Sequence, residues 1–312
     1  MLLLSSCYSL RIWYLISAIC FLNFDKVNSQ DVDYREIIFV DSASLDYKTY
    51  LVKDVGGFSA STWRALFLEQ VTTDTAQVAK GLIDRSPKSV SLRSMPRDML
   101  QFPVAEKKEL FFSVMGRIAK FHNNVIAERR ERLIRLLYLS NDDVFLEKMV
   151  VEYSLERVNR RMITRTDSLH ALLNRVDYIP PSLILAQAAI ESGWGTSRFV
   201  REGNNLFGQR VWNDKIPGMK ASGRLDAKFR LAVYPNISES VKSYLRNLNT
   251  HPFYESLRAI RQRKRNRGEC ILGRDLVGEI GSYSVRGEAY ISDVTRIIEF
   301  NNLTKLDEEA CK

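Results

Sequence analysis

Apolar residues recur at helical spacing through most of the chain beyond residue 104. From Ala105 to Tyr138, Leu110, Val114, Ile118, Phe121, Val125, Leu133, Leu136 and Leu137 mark one face, which predicts a long helix. Glu128 to Arg132 supply a charged opposite face with i,i+4 pairing. Shorter helices are predicted over Asp143 to Tyr153 and Thr166 to Arg175, the second capped by Thr166 or Asp167. Pro180-Pro181 suits the start of another helix. Almost every residue from Leu183 to Ile190 is apolar, as in a helix buried on all sides, and Gly193 stands where a C-terminal cap belongs. The pattern then changes. Gln209 to Trp212 and Ala227 to Tyr234 read as extended, with Pro217-Gly218 and Ser222-Gly223 as turn signals between them, which predicts a small β-hairpin lobe. Helices return at Ile237 to Leu248, Phe253 to Lys264, Ile271 to Ile280 and Ala289 to Asn301. The fold class is therefore mainly α (α+β): a helical core with one small β lobe.

The N-terminal third is different. Arg11 precedes an apolar run from Ile12 to Phe24, too short for a comfortable membrane span and suited to a signal peptide. Val27-Asn28-Ser29 offers an imperfect small-residue cleavage site; the competing reading is an uncleaved anchor in the inner membrane. Either way the expectation is a periplasmic or secreted protein. Residues 30–104 mix short apolar pieces (Ile37 to Val40), a Gly56-Gly57 break, a helical stretch near Trp63 to Gln70, and Pro87, Pro96 and Pro103. They read as an extension without chemistry of its own. The expected organisation is a leader over 1–29, this extension over 30–104, the long helix within 105–146, a main domain over 147–303 and a tail over 304–312.

Composition narrows the partners. With 312 residues, 45% of them hydrophobic, the chain can bury a sizeable core. A net charge of +9 favours an anionic partner. No zinc-finger spacing or RNA-binding aromatic motif supports nucleic acid. The densest basic run, Arg258 to Arg267, reads either as a solvated helix face or as a docking patch for an anionic wall or membrane surface. Four cysteines occur, two of them in the leader. Cys270 and Cys311 remain, and the sequence leaves open whether they pair.

The chemistry concentrates between Pro180 and Gln209, in PPSLILAQAAIESGWGTSRFVREGNNLFGQ. Glu191 ends the buried helix and is followed at once by Ser192, Gly193, Trp194 and Gly195. A carboxylic acid delivered by an apolar helix into a Gly/Trp bend suits a proton donor, because burial disfavours its charged form. Trp194, Phe207 and Trp212 offer ring faces for stacking on sugars. Asn204 and Asn205 suit a tight turn, and Gln209 a hydrogen bond to substrate. His122, His170 and His251 are scattered without metal-ligand spacing, and no phosphate loop or serine elbow is present, so neither metal nor cofactor is expected.

The segment ILAQAAIESGWGTSRF with GNNLFGQ resembles the glucosaminidase domains of family-73 glycoside hydrolases, which cut the glycan strands of bacterial peptidoglycan. Lys228-Phe229-Arg230 with Val233-Tyr234, the helix SVKSYLRNLNTHPF and the segment SYSVRGEAY are similar in the same order. The long preceding helix and the Asn301-Asn302-Leu303 ending look more like one bacterial branch, the Bax-type proteins. The resemblance implies a lysozyme-like fold, Glu191 as general acid, and Tyr283 and Tyr290 as the late tyrosines of the site. It also implies a second acid, a glutamate on the β lobe. None lies between Val211 and Tyr234, where Asp214 and Asp226 are the acids; Asp226 is the preferred base candidate, and assistance by the substrate's N-acetyl group is the alternative. The leading expectation is an endo-β-N-acetylglucosaminidase on peptidoglycan. A muramidase or lytic transglycosylase on the same fold stays open, as does a wall-binding protein without activity.

Overall fold

The computed structural model describes residues 94–311 except 96, 140, 156–163 and 221–227, together with the backbone of two strands nearer the N-terminus; the side chains of 97 and 98 are also outside it. The expected leader, most of the extension, the Ser222-Gly223 turn and the base candidate Asp226 therefore lie outside the described residues. The two early strands, β1 (Tyr34–Val40) and β2 (Tyr47–Lys53), pair antiparallel from Tyr34↔Lys53 to Val40↔Tyr47.

The rest is mostly helical. Helix α1 (Val104–Tyr138) runs 35 residues. Its buried stripe is Leu110, Phe111, Val114, Met115, Ile118, Ala119, His122, Ile126, Leu133 and Leu136. The expected stripe differs by one position in its middle, where Phe121 and Val125 are half-buried and His122 and Ile126 face the core. At 3.6 residues per turn a strict four-residue repeat drifts off the core face, and the neighbouring positions take over. His122 gives its ring Nε2 to Ser238, 3.0 Å from the carbonyl oxygen and 2.8 Å from Oγ, and burial pushes it down to about 3.

Helices α2 (Asp143–Glu152) and α3 (Arg165–Arg175) follow. The cap of α3 is Thr164 rather than Thr166 or Asp167: Thr164 accepts from Asp167 N–H, and Asp167 returns the bond to the Thr164 N–H. Helix α4 (Pro181–Ser192) is the centre of the molecule. Leu183, Ile184, Leu185, Ala186, Gln187, Ala188 and Ala189 are all fully buried, because α1, α8 (Gly273–Leu276), α9 (Glu288–Phe300) and α10 (Thr304–Ala310) surround it. Gly193 ends α4 in the left-handed conformation, φ 56°.

After the short α5 (Arg198–Gly203), the β lobe is a three-stranded sheet and not a hairpin. Strand β5 (Arg230–Ala232) lies between β3 (Arg210–Val211) and β4 (Gly218–Met219), antiparallel to both. Pro217-Gly218 opens a strand where a turn was expected. A Cβ at Gly218 would stand 2.8 Å from Arg230 Cβ and 2.9 Å from Val211 Cγ2, so glycine here serves close strand approach. Helices α6 (Ile237–Thr250) and α7 (Glu255–Asn266) close the core, with a 3₁₀ segment (Val277–Tyr283) leading toward α9. Among the described residues no helix is long and apolar enough to cross a membrane.

Cys270 and Cys311 are disulfide-bonded, Cα to Cα 5.7 Å, which fastens the end of α10 to the loop before α8. The basic run of α7 is divided between the interior and the surface, where Arg263, Arg265 and Arg267 are exposed. Arg258 and Arg261 are buried and donate to backbone carbonyls, Arg265 forks onto Asp177 at 2.7 and 3.0 Å, and Lys264 pairs with Asp275 at 2.7 Å. The charges answer a buried aspartate and several carbonyls that would otherwise lack partners.

Candidate active site

The last turn of α4 brings Glu191 to the edge of the core, facing the loop that follows α5. Three successive left-handed residues, Gly193 (φ 56°), Trp194 (φ 61°) and Gly195 (φ 78°), turn the chain away beneath the carboxyl. Gly208 (φ 64°) brings the returning loop close: a Cβ there would lie 3.7 Å from Glu191 Oε2. Glycine keeps this side of the acid uncovered.

That loop is fixed from within. Asn204 ends α5 in the left-handed conformation and donates to Tyr234 O at 3.0 Å. Asn205 accepts from Gln209 N–H at 3.0 Å and donates to the carbonyls of Gln209 and Ala232, both at 2.9 Å. The two asparagines shape the turn, as their chemistry suggested. Gln209 is also taken up internally. Its amide bonds Ser243 Oγ and the Tyr234 hydroxyl, each at 2.9 Å, and the swapped amide orientation keeps both partners.

Behind the carboxyl lies a nest of aromatic side chains. Phe207 stacks on Tyr244 (3.9 Å, 8°), and Tyr283 stacks on Tyr290 (5.8 Å, 4°). Half-buried Tyr283 donates to Phe207 O at 2.8 Å. Tyr290 is buried, and its hydroxyl lies near enough to Glu191 to favour the ionised carboxylate. Of the expected stacking residues, Trp194 packs edge-on against Phe111 and Phe112 of α1, with Lys108 Nζ 4.7 Å from its ring centre. Phe207 is buried in the nest. Trp212 alone is largely open, 69% exposed, tilted against Phe229 on the β lobe.

Desolvation raises the pKa of Glu191 above the usual carboxylate range, against three opposing influences: the Tyr290 hydrogen bond, Arg210 and Arg286. Burial wins, so the acid holds its proton more tightly than a surface glutamate does. Neither cation is paired with it; Arg210 lies over the Phe229 ring at 4.3 Å and Arg286 binds Asp293 at 2.6 Å. Among the described residues no carboxylate figures in the charges acting on Glu191. Asp214 is fully exposed and pairs with Arg230 at 3.3 Å.

Several contributors escaped the sequence reading: Gln187, Arg210, Tyr244 and Arg286. Gln187 carried a signal, being the single polar side chain in an otherwise apolar run and four residues before Glu191. The others sit on elements whose packing around α4 is set by tertiary structure.

A carboxylic acid that burial biases toward its protonated form, beside tyrosines, is the equipment of a glycoside-cleaving enzyme. A family model described as Glucosaminidase, mannosyl-glycoprotein endo-beta-N-acetylglucosaminidase, matches residues 167–303. Protein bax of Escherichia coli strain K12 is 31% identical over 211 residues, 66% of this chain and 73% of that protein. The peptidoglycan hydrolase FlgJ of Vibrio parahaemolyticus is 37% identical over 99 residues, 27% of this chain and 30% of that protein. The catalytic domain of the autolysin Auto from Listeria monocytogenes aligns with 76% of this chain and 99% of its own, at a TM-score of 0.38 and 18% identity. The chain belongs to the glucosaminidase family of glycoside hydrolases.

Proposed function

We propose that this protein is an exported endo-β-N-acetylglucosaminidase that cleaves the glycan strands of peptidoglycan with Glu191 as general acid. The observation that carries this reading is the desolvated Glu191 at the mouth of the tyrosine nest, with its pKa raised and its position fixed by α4. The name peptidoglycan hydrolase on the FlgJ relatives supports the substrate. The Cys270–Cys311 bond suits an oxidising compartment and so supports export.

In the reaction, protonated Glu191 gives its proton to the glycosidic oxygen as the C1–O bond breaks. We take the substrate's own acetamido oxygen as the group that attacks C1, with Asp226, which lies outside the described residues, as the alternative second group. Ionised Glu191 then removes a proton from the water that opens the resulting oxazolinium ring. The hydroxyl proton of Tyr283 is committed to Phe207 O, so toward the substrate Tyr283 acts as an acceptor, suited to the acetamido N–H. Trp212 is placed to stack on a sugar face.

The test is product analysis on purified peptidoglycan. Mass spectrometry should find fragments ending in reducing N-acetylglucosamine, and NMR of the fresh products should find the β anomer, with the configuration retained. Inversion would transfer the second role to a protein carboxylate, for which Asp226→Asn is the variant to make. Muramic or anhydro-muramic ends would replace the bond assignment by muramidase or transglycosylase cleavage.

A further inference from the structure

Beside Glu191 lies a hydrogen-bonded chain of three side chains that is closed to solvent. Gln187 and Tyr244 are fully buried, and Tyr290 is 1% exposed. The Tyr244 hydroxyl donates to Gln187 Oε1 at 2.6 Å, and Gln187 Nε2 donates to the Tyr290 oxygen at 2.9 Å. The direction of each hydrogen follows from the groups. An amide oxygen only accepts and an amide NH₂ only donates, so Tyr244 must give its proton and Tyr290 must receive one. The proton of Tyr290 itself is then left over, and the neighbouring carboxyl on which it acts is that of Glu191. Three helices meet in this chain, α6, α4 and α9, and each supplies one member.

We propose that Gln187 and Tyr244 are positioning residues that direct the hydroxyl proton of Tyr290 onto one oxygen of Glu191, leaving the other oxygen to carry the catalytic proton into the cleft. This deepens the general-acid reading above and rests on it. The arrangement does two things. It fixes the carboxyl rotamer, because one oxygen is held from below. It also favours the carboxylate that forms as the proton leaves, since a donated hydrogen bond is stronger to a charged acceptor than to a neutral one. The reverse amide orientation would spend the Tyr290 proton on Gln187 and deprive Glu191 of its donor, so the chain works in one direction only.

The test separates positioning from packing. Tyr290→Phe removes one oxygen and keeps the ring stack on Tyr283; Gln187→Met keeps the volume and removes the amide. Both should lower kcat, Tyr290→Phe by roughly tenfold, a factor set by one hydrogen bond to a charged group. Both should also move the alkaline limb of the kcat/KM profile to higher pH, because losing the donor destabilises ionised Glu191. The double variant should fall little below Tyr290→Phe alone, since the two act through one chain. Independently of any substrate, a ¹³C carboxyl titration of Glu191 should show the same upward movement, so the inference can fail while the proposed activity stands. Unmoved limbs and an unmoved titration in a folded Tyr290→Phe protein would overturn the proposal. Additive losses that follow thermal stability alone would also overturn it.

Discussion

At the scale of single residues, Gly208 and Trp212 show how position decides role. Gly208 has φ 64°, and a Cβ there would stand 3.7 Å from Glu191 Oε2. Gly208→Ala should cost about 1–2 kcal/mol of stability through left-handed strain, measured by chemical denaturation. Its turnover should fall further than that, because the added methyl group lies against Glu191. Trp212 is 69% exposed, its ring tilted against Phe229, so Trp212→Ala should leave the melting temperature nearly unchanged. It should raise KM for long glycan substrates roughly three- to tenfold if the ring stacks on sugar. Trp194, in the same expected class, is half-buried against the core. Its ring is held by Phe111 and Phe112, contacts that no local pattern around Glu191 could announce.

At the scale of elements, α4 explains the site and its dependence on distant chain. Its N-cap is Pro180, which has no side chain to offer. The missing cap arrives from α10: Asp307 accepts from Ser182 N–H at 2.8 Å, Ser182 Oγ at 2.6 Å and Gly273 N–H at 2.8 Å. Removing a cap costs about 0.5–2 kcal/mol. Asp307→Ala should reach or exceed the upper end in urea denaturation, since it strands two buried N–H donors. It should also lower kcat, because the helix so loosened carries Glu191. Element by element, the helices were legible wherever apolar residues repeat at 3.6, as in α1 and α9, and so was the end of α4 at Gly193. The third strand was not, because Pro217-Gly218 carries a turn signal that only the close approach of Arg230 and Val211 overrides. Asp307 as a cap was illegible because its partner Ser182 is 125 residues away, and Gln187, marked out only as the lone polar residue of its run, has its partner Tyr290 103 residues away.

At the scale of the whole molecule, two long-range ties hold the catalytic half together. The Cys270–Cys311 bond closes a sequence separation of 41 residues. Chain-entropy arguments put such a loop at about 4 kcal/mol, so reduction should lower the melting temperature by several degrees and release α10, the source of the α4 cap. The second tie is Asp177, buried and met by Arg261, Arg265 and Arg130. Burial raises its pKa, but the three guanidiniums together lower it further, so the net direction is down. A carboxyl lowered in the folded state stabilises the fold above its unfolded value near 3.9, and that contribution is lost as the pH falls through the folded value. Asp177→Asn should therefore cost about 3–5 kcal/mol at neutral pH, by leaving buried arginines unpaired. It should also flatten the decline of stability below about pH 4, measured by thermal melts across pH. The same tie accounts for the buried part of the basic run, in which Arg258 and Arg261 answer buried carbonyls and Arg261 also the carboxylate.

The account turns on Glu191 as the proton donor, and the direct measurement compares wild type with Glu191→Gln on purified peptidoglycan, following reducing ends over time beside glycan binding and thermal stability. The account predicts that cleavage falls by about 10²–10⁴-fold or vanishes while binding and melting stay near wild type. Cleavage by Glu191→Gln at close to the wild-type rate would contradict it.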